Sequence, residues 1–457
     1  MDDHRVTEVD AEDDPPSPTI PHAEPASATG SLEAAVEHEA NPVKRFFKLL
    51  GPGLITGAAD DDPSGIGTYA TAGAALGFAT LWTAIVTLPL MAVVQFICAK
   101  IGMVSGRGLA GVLRQYYPRT VLYPAVLGLV IANTINVGTD IAAIAAAINM
   151  FLPIPITALV VPIAVIIVVL QIWGSYRLMA RIFKWLTVTL FAYIGAAFLA
   201  QPDWREVVQA TFLPRLRFDH QYLTTLLAIL GTTISPYLFF WQASEEVEEE
   251  VSMGRTRLSQ RKGATDTELK YEQLDTITGM IFCNVVFYFV ILAAAATLHA
   301  TGKTEIQSAT DAAQALRPLA GDAAAILFAL GLIGAGFLAV PVLSGSAAYA
   351  VAEAFGWKYG LDAKPSEAKR FYAVIAVATL VGILIDFMGI NPITALFWTA
   401  VINGLVAPPL LVVIMLVANN TRVMGDRVNG RVTNILGWIA TIVMWAAALG
   451  MILTWGT

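Results

Sequence analysis

Asp60, Asp61 and Asp62 stand side by side in an otherwise apolar stretch, followed at once by Pro63, Ser64 and Gly65. Three adjacent carboxylates inside a hydrophobic run need a cation, water or each other's protons. The chemistry they offer is cation binding. Pro63 removes a backbone donor, and Gly65 and Gly67 loosen any helix that runs through them. A second apolar run, residues 226–246, is interrupted in a similar way by Gly231, Thr232, Thr233, Ser235 and Pro236. Either interruption alone reads equally as a proline kink without function. Together they place oxygen-bearing side chains and loosened backbone at two separate points of the chain.

The elements that carry these residues are membrane helices. The chain has 457 residues, 56% hydrophobic and 14% charged, with a mean hydropathy of +0.65. Soluble domains average about 25% charged residues. Eleven segments hold enough apolar residues to cross a bilayer, with cores near 51–72, 79–101, 121–149, 153–173, 180–200, 221–244, 276–299, 320–352, 371–388, 391–417 and 433–454. The fold class expected is therefore an all-α polytopic membrane protein. Soluble enzymes, nucleic-acid binders and disulfide-built secreted domains are excluded. No GxxxxGK[ST] phosphate loop, HExxH or CxxC pattern is present, so nucleotide and structural zinc are not expected as cofactors or partners.

The net charge of −7 belongs to one end. Residues 1–43 hold eleven acidic side chains and one basic one, and read as a disordered cytoplasmic tail; residues 44–457 form the transmembrane domain and are net +3. Alternate loops collect 23 of the 28 basic residues, leaving Arg205, Arg215, Arg217, Lys303 and Arg317 on the other side. The positive-inside rule then puts the N-terminus in the cytoplasm and the C-terminus outside, and the compact loops fit a multi-pass protein of the cell inner membrane.

The two interruptions fall in segments 1 and 6. Segments 1–5 (residues 44–200) and 6–10 (219–418) then form two five-helix halves, with helix 11 at 433–454. An odd number of helices per half forces opposite orientation, the inverted-repeat arrangement of secondary transporters. The inner half of segment 1 and the outer half of segment 6 turn their C-terminal carbonyls to the centre. With Asp62 added, that centre attracts a cation.

GPG at 51–53 with DPSGIGTYATAGA at 62–74, GRGLA at 106–110 and RVMG at 422–425 together resemble the NRAMP family of divalent-metal transporters, over residues 44–454. The resemblance implies a LeuT-like fold. It places the family's metal-binding Asp on Asp62 and its neighbouring Asn on Gly65. The sixth-helix Ala, Met and His positions fall on Thr232, Ser235 and Tyr237, and a second His falls on Gln242. An acidic pair in the third helix falls on Val137 and Asp140.

A Met thioether suits transition metals, and Ser235 in its place leaves oxygen chemistry. A roomy site with one carboxylate and several neutral oxygens suits Mg²⁺, which keeps several waters. This pattern is similar to the NRAMP-related magnesium transporter branch. The expected metal residues are Asp62, Gly65, Thr232, Ser235, Tyr237, Asp61, Asp140 and Asn403. Asp60 and Asp61 read equally as helix caps, Asp140 as a packing hydrogen bond in the stripe Asn133, Asn136, Asp140, and Asn403 as a bond between helices.

With no midplane histidine, transport without obligatory proton coupling is expected, with Mg²⁺ or Mn²⁺ as transported substrate rather than cofactor. The partners expected are the metal ion and the lipid bilayer, and the chain is expected to be a monomer. A proton-coupled Mn²⁺/Fe²⁺ importer, a cation-coupled amino-acid symporter and a non-transporting cation sensor are the competing readings. Cys98 and Cys283 read as core residues. The run Glu245, Glu246, Glu248, Glu249, Glu250 reads as a solvated helix end, and Glu353 and Asp386 need no special role.

Overall fold

A computed structural model describes residues 51–173, 188–361 and 363–455. The acidic tail, Lys44, Arg45, Lys48, Arg177, Arg181, Lys184 and the first part of the fifth segment lie outside them. The described residues are helical throughout, without strands. Nine helical stretches among them are long and apolar enough to cross a membrane. The broken first segment adds a tenth crossing in two short pieces, and the fifth is described from Val188 to Leu199.

The first segment divides into α1 (Pro52–Asp60) and α2 (Pro63–Leu76). Next come α3 (Trp82–Ser105), α4 (Leu109–Tyr116), α5 (Arg119–Asn149), α6 (Ile156–Trp173), α7 (Ala192–Leu199) and α8 (Trp204–Phe212). The sixth segment divides into α9 (His220–Thr233) and α10 (Pro236–Ser252). The rest are α11 (Asp266–Thr297), α12 (Ala324–Phe355), α13 (Lys369–Leu384), α14 (Pro392–Ala418) and α15 (Arg431–Leu453).

Both breaks are built the same way. Two residues leave the helical region and a proline opens the next helix: Asp61–Asp62 before Pro63, and Ile234–Ser235 before Pro236. The residue ahead of each proline is extended, with φ −66° and ψ 166° at Asp62 and φ −84° and ψ 134° at Ser235. A proline disfavours helical geometry in the residue before it and suits the first helical position itself. The pairing of the halves follows: α2 packs on α11 as α10 packs on α3, and α5 lies against α12.

Small residues set the closest crossings. Gly53 and Gly57 of α1 face Thr276 and Gly279 of α11, backbone to backbone, and Gly73 of α2 continues the row against Ile291 and Ala294. Gly231 meets Gly404, and Gly138 meets Gly382. Without a hydrophobic force between helices in lipid, such close approach supplies the packing energy. Outward faces are apolar, as at Val165, Leu380 and Ile442.

Helix α11 begins at Asp266, ten residues before the apolar core read from sequence. Thr265 and Glu268 form a capping box: the Thr265 hydroxyl accepts from the Glu268 N–H (3.1 Å) and Glu268 accepts from the Thr265 N–H (2.8 Å). The cap starts the helix in polar sequence that hydropathy leaves out. At the start of α9, Asp219 accepts from the Tyr222 N–H at 3.0 Å. That bond and the nearby Arg217 hold its carboxyl below the usual carboxylate range.

Candidate metal centre

The centre is assembled at the first break. Asp62 is the N-cap of α2 and almost fully buried. Its Oδ1 accepts from the Gly65 N–H at 2.6 Å, and both carboxylate oxygens lie within 2.9 Å of the Ser64 hydroxyl. From α5, Asn136 donates Nδ2 to Asp62 Oδ2 at 3.2 Å, and the Thr232 hydroxyl of α9 also faces the carboxylate. The charge is thus fixed in place by neutral donors from three elements.

Gly65 lies directly against these oxygens. A Cβ on it would stand 3.1 Å from Asp62 Oδ1, 3.1 Å from Thr232 Oγ1 and 3.3 Å from the Asp60 carbonyl oxygen. The three oxygens therefore surround a position without a side chain. Asp62, Gly65 and Thr232, inferred separately from two distant parts of the sequence, meet at one point.

The other expected residues are arranged differently. The Ser235 hydroxyl is engaged with backbone, donating to the Gly231 carbonyl (2.9 Å) and the Thr232 carbonyl (2.6 Å). The Tyr237 hydroxyl donates to the Ala59 carbonyl at 2.9 Å and so bridges the second break to the end of α1. The half-helix ends are therefore partly satisfied by side chains, where the sequence suggests free carbonyls; Ser and Tyr hydroxyls reach back to carbonyls left open by a break.

Asp140 is fully buried and neither of its carboxylate oxygens has a hydrogen-bond partner; the Ser64 N–H faces it outside hydrogen-bond geometry. Asn133 donates to the Leu343 carbonyl at 2.9 Å. Asn403 is buried with both amide atoms unpartnered. Among the described residues, no basic side chain pairs with Asp60, Asp61, Asp62 or Asp140. No three His, Cys, Asp or Glu side chains among them converge to hold an ion. The centre offers one positioned carboxylate ringed by neutral oxygens.

Sequence reasoning missed several polar contacts around α1. Cys283 of α11 is not simply packed: its thiol donates to Asp60 Oδ2 at 2.9 Å. Asp275 of α11 accepts from the N–H groups of Gly53 (2.8 Å) and Leu54 (3.2 Å), at the start of α1. Thr56 donates to Gln242 Oε1 at 2.5 Å, and Gln242 Nε2 donates to Glu246 (2.7 Å) and Glu272 (3.3 Å). The only sequence hint is spacing, since Asp275, Gly279 and Cys283 recur every four residues along one face of α11.

The acidic run needs correction at two positions. Glu246 and Glu250 are buried, 3% and 4% exposed, because α10 turns one face to α11 and to Arg255 rather than ending in solvent. Glu353 has a definite partner as well: it is buried and accepts from the Gly111 N–H at 2.9 Å, in the first turn of α4. The neighbouring side chains of Tyr237, Phe239, Phe240 and Trp241 are all buried in the core.

Comparison with known proteins agrees with this architecture. The manganese transporter of Eremococcus coleocola has a solved structure similar to 91% of this chain and 87% of its own, with a TM-score of 0.72 at 17% identity. Mhp1, a nucleobase-cation-symport-1 family transporter, superposes over 89% of this chain and 92% of its own, with a TM-score of 0.51 at 13% identity. The fold is thus the LeuT-like one, five plus five helices with segments 1 and 6 broken and an eleventh added.

In sequence, the chain is 27% identical to the divalent metal cation transporter MntH of Deinococcus radiodurans, over 96% of this chain and 98% of that protein. It is also 27% identical to the MntH of Bacillus subtilis, over 91% and 94%. The family model described as natural resistance-associated macrophage protein-like matches residues 53–454, and the chain belongs to that Nramp family.

Proposed function

We propose that this chain carries divalent metal cations across a membrane by alternating access, with Asp62 as the principal charge, and that partly hydrated Mg²⁺ is its main substrate. The observation that carries the reading is the buried Asp62 carboxylate, held by Ser64, Gly65 and Asn136 and paired with no basic side chain among the described residues. A buried charge of this kind needs a counter-charge, and a mobile cation supplies it. The names of the relatives, divalent metal cation transporter and manganese transporter, support the substrate class.

Ion preference rests on finer features. Gly65 brings no side-chain ligand where the resemblance places an Asn, and Ser235 brings no soft atom where it places a Met. Mg²⁺ dehydrates reluctantly and suits such a site. With the N-terminus cytoplasmic, an inside-negative potential favours entry of a divalent ion by ~4.6 kcal/mol per 100 mV. Entry then needs no proton.

The test uses the purified chain in liposomes holding a Mg²⁺ dye or, separately, a pH dye. Mg²⁺ entry under an inside-negative potential without internal acidification is the expected result. Mn²⁺ entry accompanied by protons, with no Mg²⁺ entry, would replace this reading with a proton-coupled Mn²⁺ importer.

Ser235→Met should shift preference toward softer ions. A thioether at this joint favours Mn²⁺ and Cd²⁺ over Mg²⁺. The Mn²⁺/Mg²⁺ uptake ratio should rise by roughly tenfold, the equivalent of ~1.4 kcal/mol. An unchanged ratio in a folded variant would show that position 235 does not face the ion.

A further inference from the structure

The reading above leaves two of the three consecutive carboxylates unexplained. Asp60 ends α1 and is fully buried; its Oδ2 accepts the Cys283 thiol hydrogen and its Oδ1 has no partner. Asp61 is 5% exposed, lies within hydrogen-bonding reach of the same thiol, and its Oδ1 is likewise unpartnered. A third buried group lies nearby. Tyr69 of α2 is fully buried against Phe287, and its hydroxyl, close to Cys283, Asp60 and Asp61, has no partner. No Lys or Arg pairs with either carboxylate among the described residues.

Buried carboxylates with free oxygens, an unpartnered hydroxyl and a sulfur atom in one place are the parts of a metal site. The ligand chemistry differs from that at Asp62, because sulfur is soft. The two atoms are also adjacent. The thiol sulfur is 2.9 Å from Asp60 Oδ2, and tetrahedral ligands with metal–sulfur ~2.3 Å and metal–oxygen ~2.1 Å stand about 3.6 Å apart, so a bound ion would part them by only about 0.7 Å.

We propose that Cys283 and Asp60, with Asp61 adding charge, form a second cation position beside Asp62 that takes thiophilic divalent ions such as Cd²⁺ and Zn²⁺. On binding, one metal–sulfur bond forms, the S–H bond breaks and its proton leaves to water. With no third His, Cys, Asp or Glu converging there, water completes the shell. The sulfur comes from α11, a different element from the sixth-segment helix that carries Ser235. The chain therefore combines an oxygen-lined position with a separate soft one. Cys98, buried among apolar side chains of α3, has no such surroundings and serves as the internal control.

The position rests on the reading that divalent ions enter this centre, and the test separates the two. Cd²⁺ is titrated into the purified full chain while the ultraviolet charge-transfer absorption of Cd²⁺–thiolate is followed. Mg²⁺ uptake into liposomes, and its inhibition by Cd²⁺, are measured alongside. The band should saturate in wild type and in Cys98→Ser. It should vanish in Cys283→Ser, which keeps a hydroxyl to donate to Asp60, and in Cys283→Ala, which serves if the serine variant fails to fold.

Cd²⁺ should inhibit the folded Cys283 variants at least about tenfold more weakly than wild type, the smallest loss expected even of an outer-shell partner. A band that is absent from wild type, or that survives in folded Cys283 variants, overturns the proposal even if Mg²⁺ is transported. A Cys283-dependent band in a protein that moves no divalent ion upholds the site and overturns the transport reading instead.

Discussion

Asp62→Ala is expected to reduce divalent-metal uptake to the level of empty liposomes. The substitution removes the one carboxylate that Ser64, Gly65 and Asn136 jointly position. Two unit charges 4 Å apart attract by about 4 kcal/mol at an effective dielectric of about 20, and this is a lower bound for a carboxylate beside a divalent ion. Its loss corresponds to roughly a thousandfold in binding. The Gly65 N–H loses its acceptor too, so α2 also loses its cap, at a cost of about 1 kcal/mol. Asp62→Asn separates the terms, because an amide keeps the acceptor for the Gly65 N–H while removing the charge and the second acceptor that faces Asn136. Uptake lost in both variants, with thermal stability lowered only in the alanine one, assigns the effect to charge. Uptake in Asp62→Asn within tenfold of wild type would place the substrate elsewhere.

The second large effect is expected at Gly57. A Cβ there would overlap the backbone of Gly279, not a movable side chain, so α1 could not keep its present distance from α11. Overpacking in a core costs typically 1–3 kcal/mol, and more where backbones must separate. Gly57→Val should therefore lower the unfolding temperature by several degrees and abolish uptake, both measurable on detergent-purified protein. Gly430→Ala is the matched control, since a Cβ at Gly430 meets nothing. Wild-type stability and uptake in Gly57→Val would mean that α1 does not need this crossing.

The breaks were legible because proline leaves a local mark: Asp-Pro and Ser-Pro inside apolar runs specify an extended residue followed by a helix start. Membrane crossing was legible from hydropathy alone. What the sequence could not show was which helix face meets which. Cys283, Asp275 and Glu246 lie in runs whose period says little about neighbours when most of the helix surface is buried by other helices. Cys283 read as core for that reason, and burial was right while the carboxylate beside it was invisible. Asn136 was visible as part of a polar stripe, but its bond to Asp62 spans 74 residues. Ser235 and Tyr237 were placed correctly at the second break, and their hydroxyls turned to backbone carbonyls that only the folded chain brings within reach.

One consequence concerns the far end of α1. The helix has nine residues, so it is about 13 Å long, with the break at one end and Asp275 at the other. It is a short arm joined to α2 through two non-helical residues. A turn of roughly 20° about that joint carries its free end through about 5 Å, the rise of one helical turn. A swing of that size parts Gly53 and Leu54 from Asp275, and Thr56 from Gln242, in one motion. These three bonds at the free end are thereby coupled: a displacement of that size would break all of them at once, while the Ala59 and Asp60 contacts beside the break would move least.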